Sequence, residues 1–150
     1  MSPVFTKDNN DDWFLPADVR EQLKKTFKDL DSPVILETFA RPGFNDEFSQ
    51  YMIHFCTDLA RLSDKITVRT FQMPSSRAEQ LGITASPTLC VNPDEYHIRF
   101  LGAPIGEEGK SFITAIMLAS LGMSGLSEAS RPILEALNEE RLAQVFVSPT

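Results

Sequence analysis

The strongest constraint on the fold is the order in which strand-period and helix-period segments follow one another between residues 34 and 121. The run Val34-Ile35-Leu36-Glu37-Thr38-Phe39-Ala40 is apolar enough to be a central strand. Arg41-Pro42-Gly43-Phe44-Asn45-Asp46 then reads as a turn into a helix that reaches about residue 62, with Phe48, Met52, Phe55, Leu59 and Leu62 on one stripe. Asn45 or Asp46 stands where an N-cap would accept from the free N–H groups of that helix. Residues 66–73 alternate Ile66, Val68 and Thr70 against Lys65 and Arg69, a strand pattern. A short helix at 77–81 lies between Pro74-Ser75-Ser76 and Gly82. Strands at 88–91 and 96–101 face each other across Asn92-Pro93-Asp94. A helix at 107–121 closes the series, with Phe112, Ile116 and Ala119 or Ser120 expected on its buried face. The order is β-α-β-α-β-β-α. A right-handed crossover makes the first two strands parallel and the hairpin adds antiparallel ones. The expected architecture is α/β, a mixed sheet with helices on both faces in three layers.

The flanks add an extra helix at each end. Residues 1–14 form a polar leader, acidic and turn-like at Asp8-Asn9-Asn10-Asp11-Asp12. Val19, Leu23, Phe27 and Leu30 recur at helical spacing over 15–30, and Asp31-Ser32-Pro33 breaks that helix. Trp13, Phe14 and Leu15 are expected to pack it onto the domain, an aromatic contact for a partner being the alternative. The main domain is assigned to 15–125. Residues 126–141 read as a linker helix capped by Ser127 or Ser130, and 142–147 as an apolar strand before Ser148-Pro149-Thr150. This last strand and its proline partly echo Glu37-Thr38-Phe39-Ala40-Arg41-Pro42, which suggests two similar units. On that reading 126–150 is the linker and first strand of a truncated second unit.

Charge and composition exclude several classes of function. The net charge of −7 speaks against nucleic acid and anionic membranes as partners, since both demand a basic face. No apolar stretch reaches the length of a membrane span, and Met1-Ser2-Pro3-Val4-Phe5-Thr6-Lys7 has no apolar signal core, so a cytoplasmic location is expected. Two cysteines, Cys56 and Cys90, form neither a Cys-x-x-Cys pair nor a zinc quartet, and there are two histidines, His54 and His97. Neither a metal nor a cofactor is expected. Cys56 on the apolar side of its helix and Cys90 in a central strand read as buried thiols. A bridge between them is disfavoured in a reducing cytoplasm. As redox sensors they would need exposure and a lowered pKa. His54 and His97 read as solvated positions, and Glu107-Glu108-Gly109-Lys110 as a charged helix start.

Ser86-Pro87-Thr88 carries the most information of any tripeptide. Proline cannot donate a ladder hydrogen bond, so it belongs at the start of the strand at 88–91. In this order of elements the chain resembles a thioredoxin-type domain, in which a cis proline at this place faces a reactive turn. Leu59-Ala60-Arg61-Leu62-Ser63-Asp64-Lys65-Ile66-Thr67 is similar to the helix-to-strand junction of the protein disulfide oxidoreductase family. Ala85-Ser86-Pro87-Thr88 and Arg99-Phe100-Leu101-Gly102-Ala103-Pro104-Ile105-Gly106-Glu107-Glu108 resemble its cis-proline loop and hairpin-to-helix turn. The same segments resemble the N-terminal domain of the flavoprotein component of alkyl hydroperoxide reductase. The resemblance spans 15–150. It implies tandem thioredoxin/glutaredoxin-like units, the second beginning with a strand like 145–150 followed by Cys-x-x-Cys.

One departure from the family pattern decides the expected function. Thiol–disulfide exchange needs an exposed thiolate at a helix N-terminus and a second cysteine to resolve the mixed disulfide. Here the turn and helix start contain Pro42, Gly43, Phe44, Asn45, Asp46 and Glu47, and no sulfur. Asp46 and Glu47 complement the helix dipole without offering a nucleophile. Glu37, Asp64 and Lys65 resemble the carboxylate and lysine that assist proton transfer in thioredoxins, but without a dithiol they are expected to be structural. The chain is therefore expected to be a redox-inactive scaffold or docking unit of a two-unit oxidoreductase, with no catalytic residue of its own. Its partner would be a C-terminal unit or another protein, with a homodimer through an exposed strand edge as a further option. The alternative is a standalone interaction module that binds an extended peptide between Ser86-Pro87-Thr88 and the turn at 41–46.

Overall fold

The computed structural model describes residues 12–148. Its elements are α1 (Ala17–Thr26), β1 (Val34–Ala40), α2 (Asp46–Leu62), β2 (Ile66–Gln72), α3 (Ser76–Leu81), β3 (Thr88–Val91), β4 (Ile98–Leu101), α4 (Glu107–Leu121) and α5 (Ser130–Glu135). The four strands form one sheet in the order β2-β1-β3-β4. β1 runs parallel to β2 with Val34 opposite Ile66, and antiparallel to β3 with Phe39 opposite Thr88. β3 and β4 form the expected hairpin, Thr88 opposite Leu101.

The period of two along β1 divides the core between two faces. Val34 and Leu36 pack with Met52, Phe55 and Leu59 of α2 and with Phe112 and Ile116 of α4. Phe39 packs instead with Met73, Ala78, Ile83 and Cys90 around α3. The result is the three-layer α/β/α arrangement, with β1 sealed from Leu36 to Phe39. The N-terminal segment joins the α2/α4 side through Leu15, Phe27 and Leu30.

Several elements differ from the sequence reading. α1 starts at Ala17 behind Pro16, whose fixed φ suits a helix entrance, and it tightens into a 3₁₀ turn at Phe27–Asp29 instead of reaching Leu30. β4 starts at Ile98 because the amides of Glu95 and Tyr96 fold back onto the Asn92 carbonyl and hold the chain in a turn. Phe48, placed on the buried stripe of α2, is 45% exposed, whereas Asp58 is buried. The linker helix shrinks to six residues. All six are solvent-accessible, and a helix that short gains little without a surface to pack on. Ser127 Oγ accepts from the Ser130 amide, but the N-cap position falls to Ala129, which supplies no side-chain cap. Residues 142–147 form no strand. Val145 is 87% and Phe146 90% exposed, because a strand exists only where a neighbour completes its hydrogen bonds. The acidic stretch at 8–11 and the final Pro149-Thr150 lie outside the described residues. Among the described residues no helix is long and apolar enough to cross a membrane.

Candidate functional site: a sulfur-free turn facing a cis proline

Strand pairing brings the two candidate segments together. The Phe39–Thr88 register sets the turn after β1 beside the loop before β3. The Ser86–Pro87 peptide is cis. The Arg41 amide donates to Ser86 Oγ at 2.8 Å, and Asn45 Nδ2 donates to the Ser86 carbonyl at 2.9 Å. Ser86 Oγ in turn reaches the Phe44 carbonyl at 3.5 Å. Asn45 adopts a left-handed backbone, φ 55°, and its side chain is spent on the loop rather than on the helix. Asn45 thus holds the expected N-cap position, its carbonyl accepting from the Ser49 amide, but its side chain makes no cap hydrogen bond. Asp46 turns back and accepts from the Gly43 amide through both carboxylate oxygens, at 2.9 and 3.1 Å.

Within the candidate groove, Pro42, Gly43, Phe44, Asn45, Asp46 and Glu47 are all exposed. Ser86 is half-buried, while Pro87 and Thr88 are buried. Thr88 Oγ1 donates to the Ala85 carbonyl at 2.8 Å, which shapes the loop from within and removes that side chain from any ligand-facing surface. What faces solvent is an aromatic rim: Phe44, 58% exposed with the Arg41 guanidinium 5.6 Å from its ring centre, and Phe48 one turn into α2.

The Gly43 amide and the Asp46 carboxylate close this turn, and no sulfur stands between residues 41 and 49. A carboxylate at a helix N-terminus is stabilised there, but it cannot exchange with a disulfide. Neither cysteine compensates. Cys56 and Cys90 are free and buried, at 0% and 1% exposure. Burial pushes the Cys56 thiol up to about 12. Burial likewise raises Cys90 to about 11, Glu37 adding to the rise and Arg99 and Arg77 opposing it. The conditions for a redox sensor, exposure and a lowered pKa, are thus met by neither. Cys56 belongs to the α2/α4 core and Cys90 to the α3 core, so the sheet separates them and a bridge between them has no route.

Glu37 proves to be the centre of an ion-pair network. Fully buried, it receives Arg77 Nε at 2.7 Å and Nη2 at 3.0 Å, with Arg69 at 3.5 Å. Arg77 also binds Asp94 at 2.9 Å, and its pKa is raised by Glu37 and then by Asp94. The partner residues Arg77 and Asp94 were not identified from the sequence, although a carboxylate in an apolar strand is itself a signal that a cation must come to it. Lys65 is structural, donating to the Leu30 and Asp31 carbonyls, and Asp64 is exposed. His54 is exposed and stacks on Phe14 at 5.9 Å; His97 is exposed. Lys110 pairs with Glu107 on the surface. Trp13 is half-buried, with Arg61 3.5 Å from its ring centre. Among the described residues no cluster of three or more His, Cys, Asp or Glu is placed to hold a metal ion.

A mixed sheet in the order β2-β1-β3-β4, helices on both faces and a proline at the head of β3 together define the thioredoxin-like α/β fold. Solved structures agree. A protein disulfide oxidoreductase from Aeropyrum pernix superposes with a TM-score of 0.72 at 22% identity over 81% of this chain and 55% of that one. The N-terminal domain of alkylhydroperoxide reductase AhpF from Enterococcus faecalis gives 0.70 at 26% identity over 83% of this chain and 62% of that one. A mutant of the same organism's reductase subunit gives 0.68 at 26% identity, over 82% and 61%. The chain therefore spans between 55% and 62% of the length of these structures. No protein-family model matches it, and no curated protein matches it.

Proposed function

We propose that this chain is a redox-inactive thioredoxin-like unit that serves as scaffold and docking surface in a two-unit thiol–disulfide oxidoreductase, the reactive dithiol lying in the other unit. The observation that carries this reading is the Gly43–Asp46 hydrogen bond at the position of the reactive turn. The exposed apolar side chains that recur between residues 121 and 137, namely Leu121, Met123, Leu126, Ile133, Leu134 and Leu137, support this segment as the one on which the second unit packs. The partial coverage of the similar structures supports it too, since a disulfide oxidoreductase and a reductase subunit of this fold are longer than this chain. Two unpaired cysteines fit a reducing cytoplasm as the location. The test is dithiothreitol-driven reduction of insulin by this chain and by a longer product of the same gene. Activity confined to the longer product is the expected result; activity in the 150-residue chain overturns the proposal.

A second reading, a standalone module that binds an extended peptide, is favoured by the exposed Phe44–Phe48 rim beside Ser86. It requires a peptide to compete with Asn45 for the Ser86 carbonyl. Pairing of two copies through β2 or β4, the two edges of the sheet, is the corresponding homodimer. Sedimentation of the chain across a concentration series separates dimer from monomer. Monomer throughout, with insulin reduction in the longer product, removes both options.

A further inference from the structure

We propose that the free edge of β2 is an interface at which two copies of this chain pair their β2 strands, antiparallel about a two-fold axis at Thr70. The proposal rests on the homodimer option above and narrows it to one edge and one register. Of the two sheet edges, β4 has four residues, and Ala143, Val145 and Val147 share a cleft with its Arg99 and Phe100. β2 is seven residues long, and a cleft of about 430 Å³ opens beside its Thr70, Phe71 and Gln72. One charge, Arg69, and no proline lies within it. A long edge with so little protection is a template for another strand.

The hydrogen bonds of β2 show which groups that template offers. The Lys65 carbonyl accepts from the Val34 amide, and the Met73 amide donates to the Ala40 carbonyl. Backbone groups alternate in direction along a strand, so the odd-numbered residues face β1, while Ile66, Val68, Thr70 and Gln72 face outward. The Ile66 amide is taken by the Ser63 carbonyl. Among the described residues this leaves the amides of Val68, Thr70 and Gln72 as the donors of the edge.

Two-fold symmetry makes the edge its own partner, and the register decides how well it fits. Centred on Arg69, the pairing sets the two guanidinium groups directly opposite each other, like against like. Centred on Val68, it places Ile66 against Thr70 of the second copy, with the Ile66 amide already engaged and Gln72 left out. Centred on Phe71, it carries Val68 past the strand to Pro74, which has no amide. Centred on Thr70, Thr70 meets Thr70 and Val68 meets Gln72, and every free amide of both copies donates to a carbonyl across the axis. Arg69 then stands opposite Phe71 of the second copy, where a guanidinium can lie over the half-buried ring.

The test is sedimentation of the chain and of three Thr70 variants from micromolar to millimolar concentration, the unaltered chain being expected to dimerise. Thr70→Pro removes the central amide, and Thr70→Lys sets like charges across the axis. Each is expected to weaken the dimer about ten-fold or more. Neither breaks a hydrogen bond to the β1 backbone, because the backbone groups of Thr70 face outward, but both lose the 3.0 Å bond between the Thr38 and Thr70 hydroxyls. Thr70→Val loses that bond too while keeping the amide, and it is expected to dimerise like the unaltered chain. In a mixture of isotope-labelled and unlabelled copies, a nuclear Overhauser contact between Arg69 Hα of one copy and Phe71 Hα of the other is expected. A monomer at millimolar concentration overturns the proposal together with the homodimer option. The β2 register alone is overturned by a dimer that Thr70→Pro and Thr70→Lys leave intact or that Thr70→Val dissociates. Contacts between copies that place Arg69 against any other residue overturn it as well.

Discussion

Glu37 lies in the apolar central strand β1, and its carboxylate is held by two nitrogens of Arg77. Its place in the sequence tells that a cation must reach it, but Arg77 is 40 residues away and only the packing of α3 on the sheet delivers it. Removing one member of a buried pair leaves the other uncompensated, so Glu37→Ala is expected to cost about 3–5 kcal/mol in urea unfolding. The thiols carry a pH dependence. An unfolded cysteine ionises near about 8.5, whereas burial holds Cys56 to about 12 and Cys90 to about 11. A raised folded pKa contributes stability that is whole below the unfolded value and is lost as pH rises, because the unfolded chain ionises first. The urea midpoint is therefore expected to fall between about pH 8.5 and about pH 11. At about pH 8, iodoacetamide is expected to modify the native thiols about a hundred-fold more slowly than the unfolded ones. Gly43 sets the backbone of the sulfur-free turn. Its φ of +84° suits glycine, and a side chain there is strained although its Cβ meets nothing within 4 Å. A Gly43→Cys and Asp46→Cys double variant is thus expected to lose about 1–2 kcal/mol of stability for the left-handed residue, and a thermal melt measures it.

Among the elements, those with a partner on both sides were legible in the sequence. β1 and β3, both central in the sheet, and α2 and α4, which cover one face, match the expected bounds. Their apolar periods are imposed by the core they fill. At the margins local pattern lost to context. Apolar residues at 142–147 found no ladder and 126–141 found no packing surface, so strand and helix periodicity there produced neither element in full. The N-terminal segment is tied down by something pattern could not supply. Asp58 on α2 is buried and accepts from the Phe14 and Leu15 amides at 2.8 and 2.7 Å. Two charge-assisted hydrogen bonds of about 1.5–3 kcal/mol each make Asp58→Ala a release of this segment. Trp13 is the reporter, because Arg61 lies 3.5 Å from its ring centre beside Asp58. Asp58→Ala is expected to shift Trp13 emission to the red while the circular dichroism of the sheet persists; an unchanged emission would show the segment held by other contacts.

On the scale of the molecule, two cores back to back on a four-stranded sheet give a domain whose stability is concentrated around β1. Hydrogen exchange is expected to be slowest in β1 and β3 and fastest beyond residue 122, where side chains are exposed and hydrogen bonds local. Addition of a dithiol-bearing second unit is expected to protect 121–147, and exchange there that is unchanged by that unit counts against the docking reading. The sequence by itself determined the order of elements, the proline ahead of β3 and the absence of sulfur from the turn. Each of these is a local property, fixed by period, by a missing N–H or by residue type. The tertiary structure alone decided that the turn locks onto Ser86 through Asn45, that the sheet stands between Cys56 and Cys90, and that Glu37 meets Arg77. Each of those joins side chains distant along the chain, and their meeting depends on register and on which face of the sheet every helix covers.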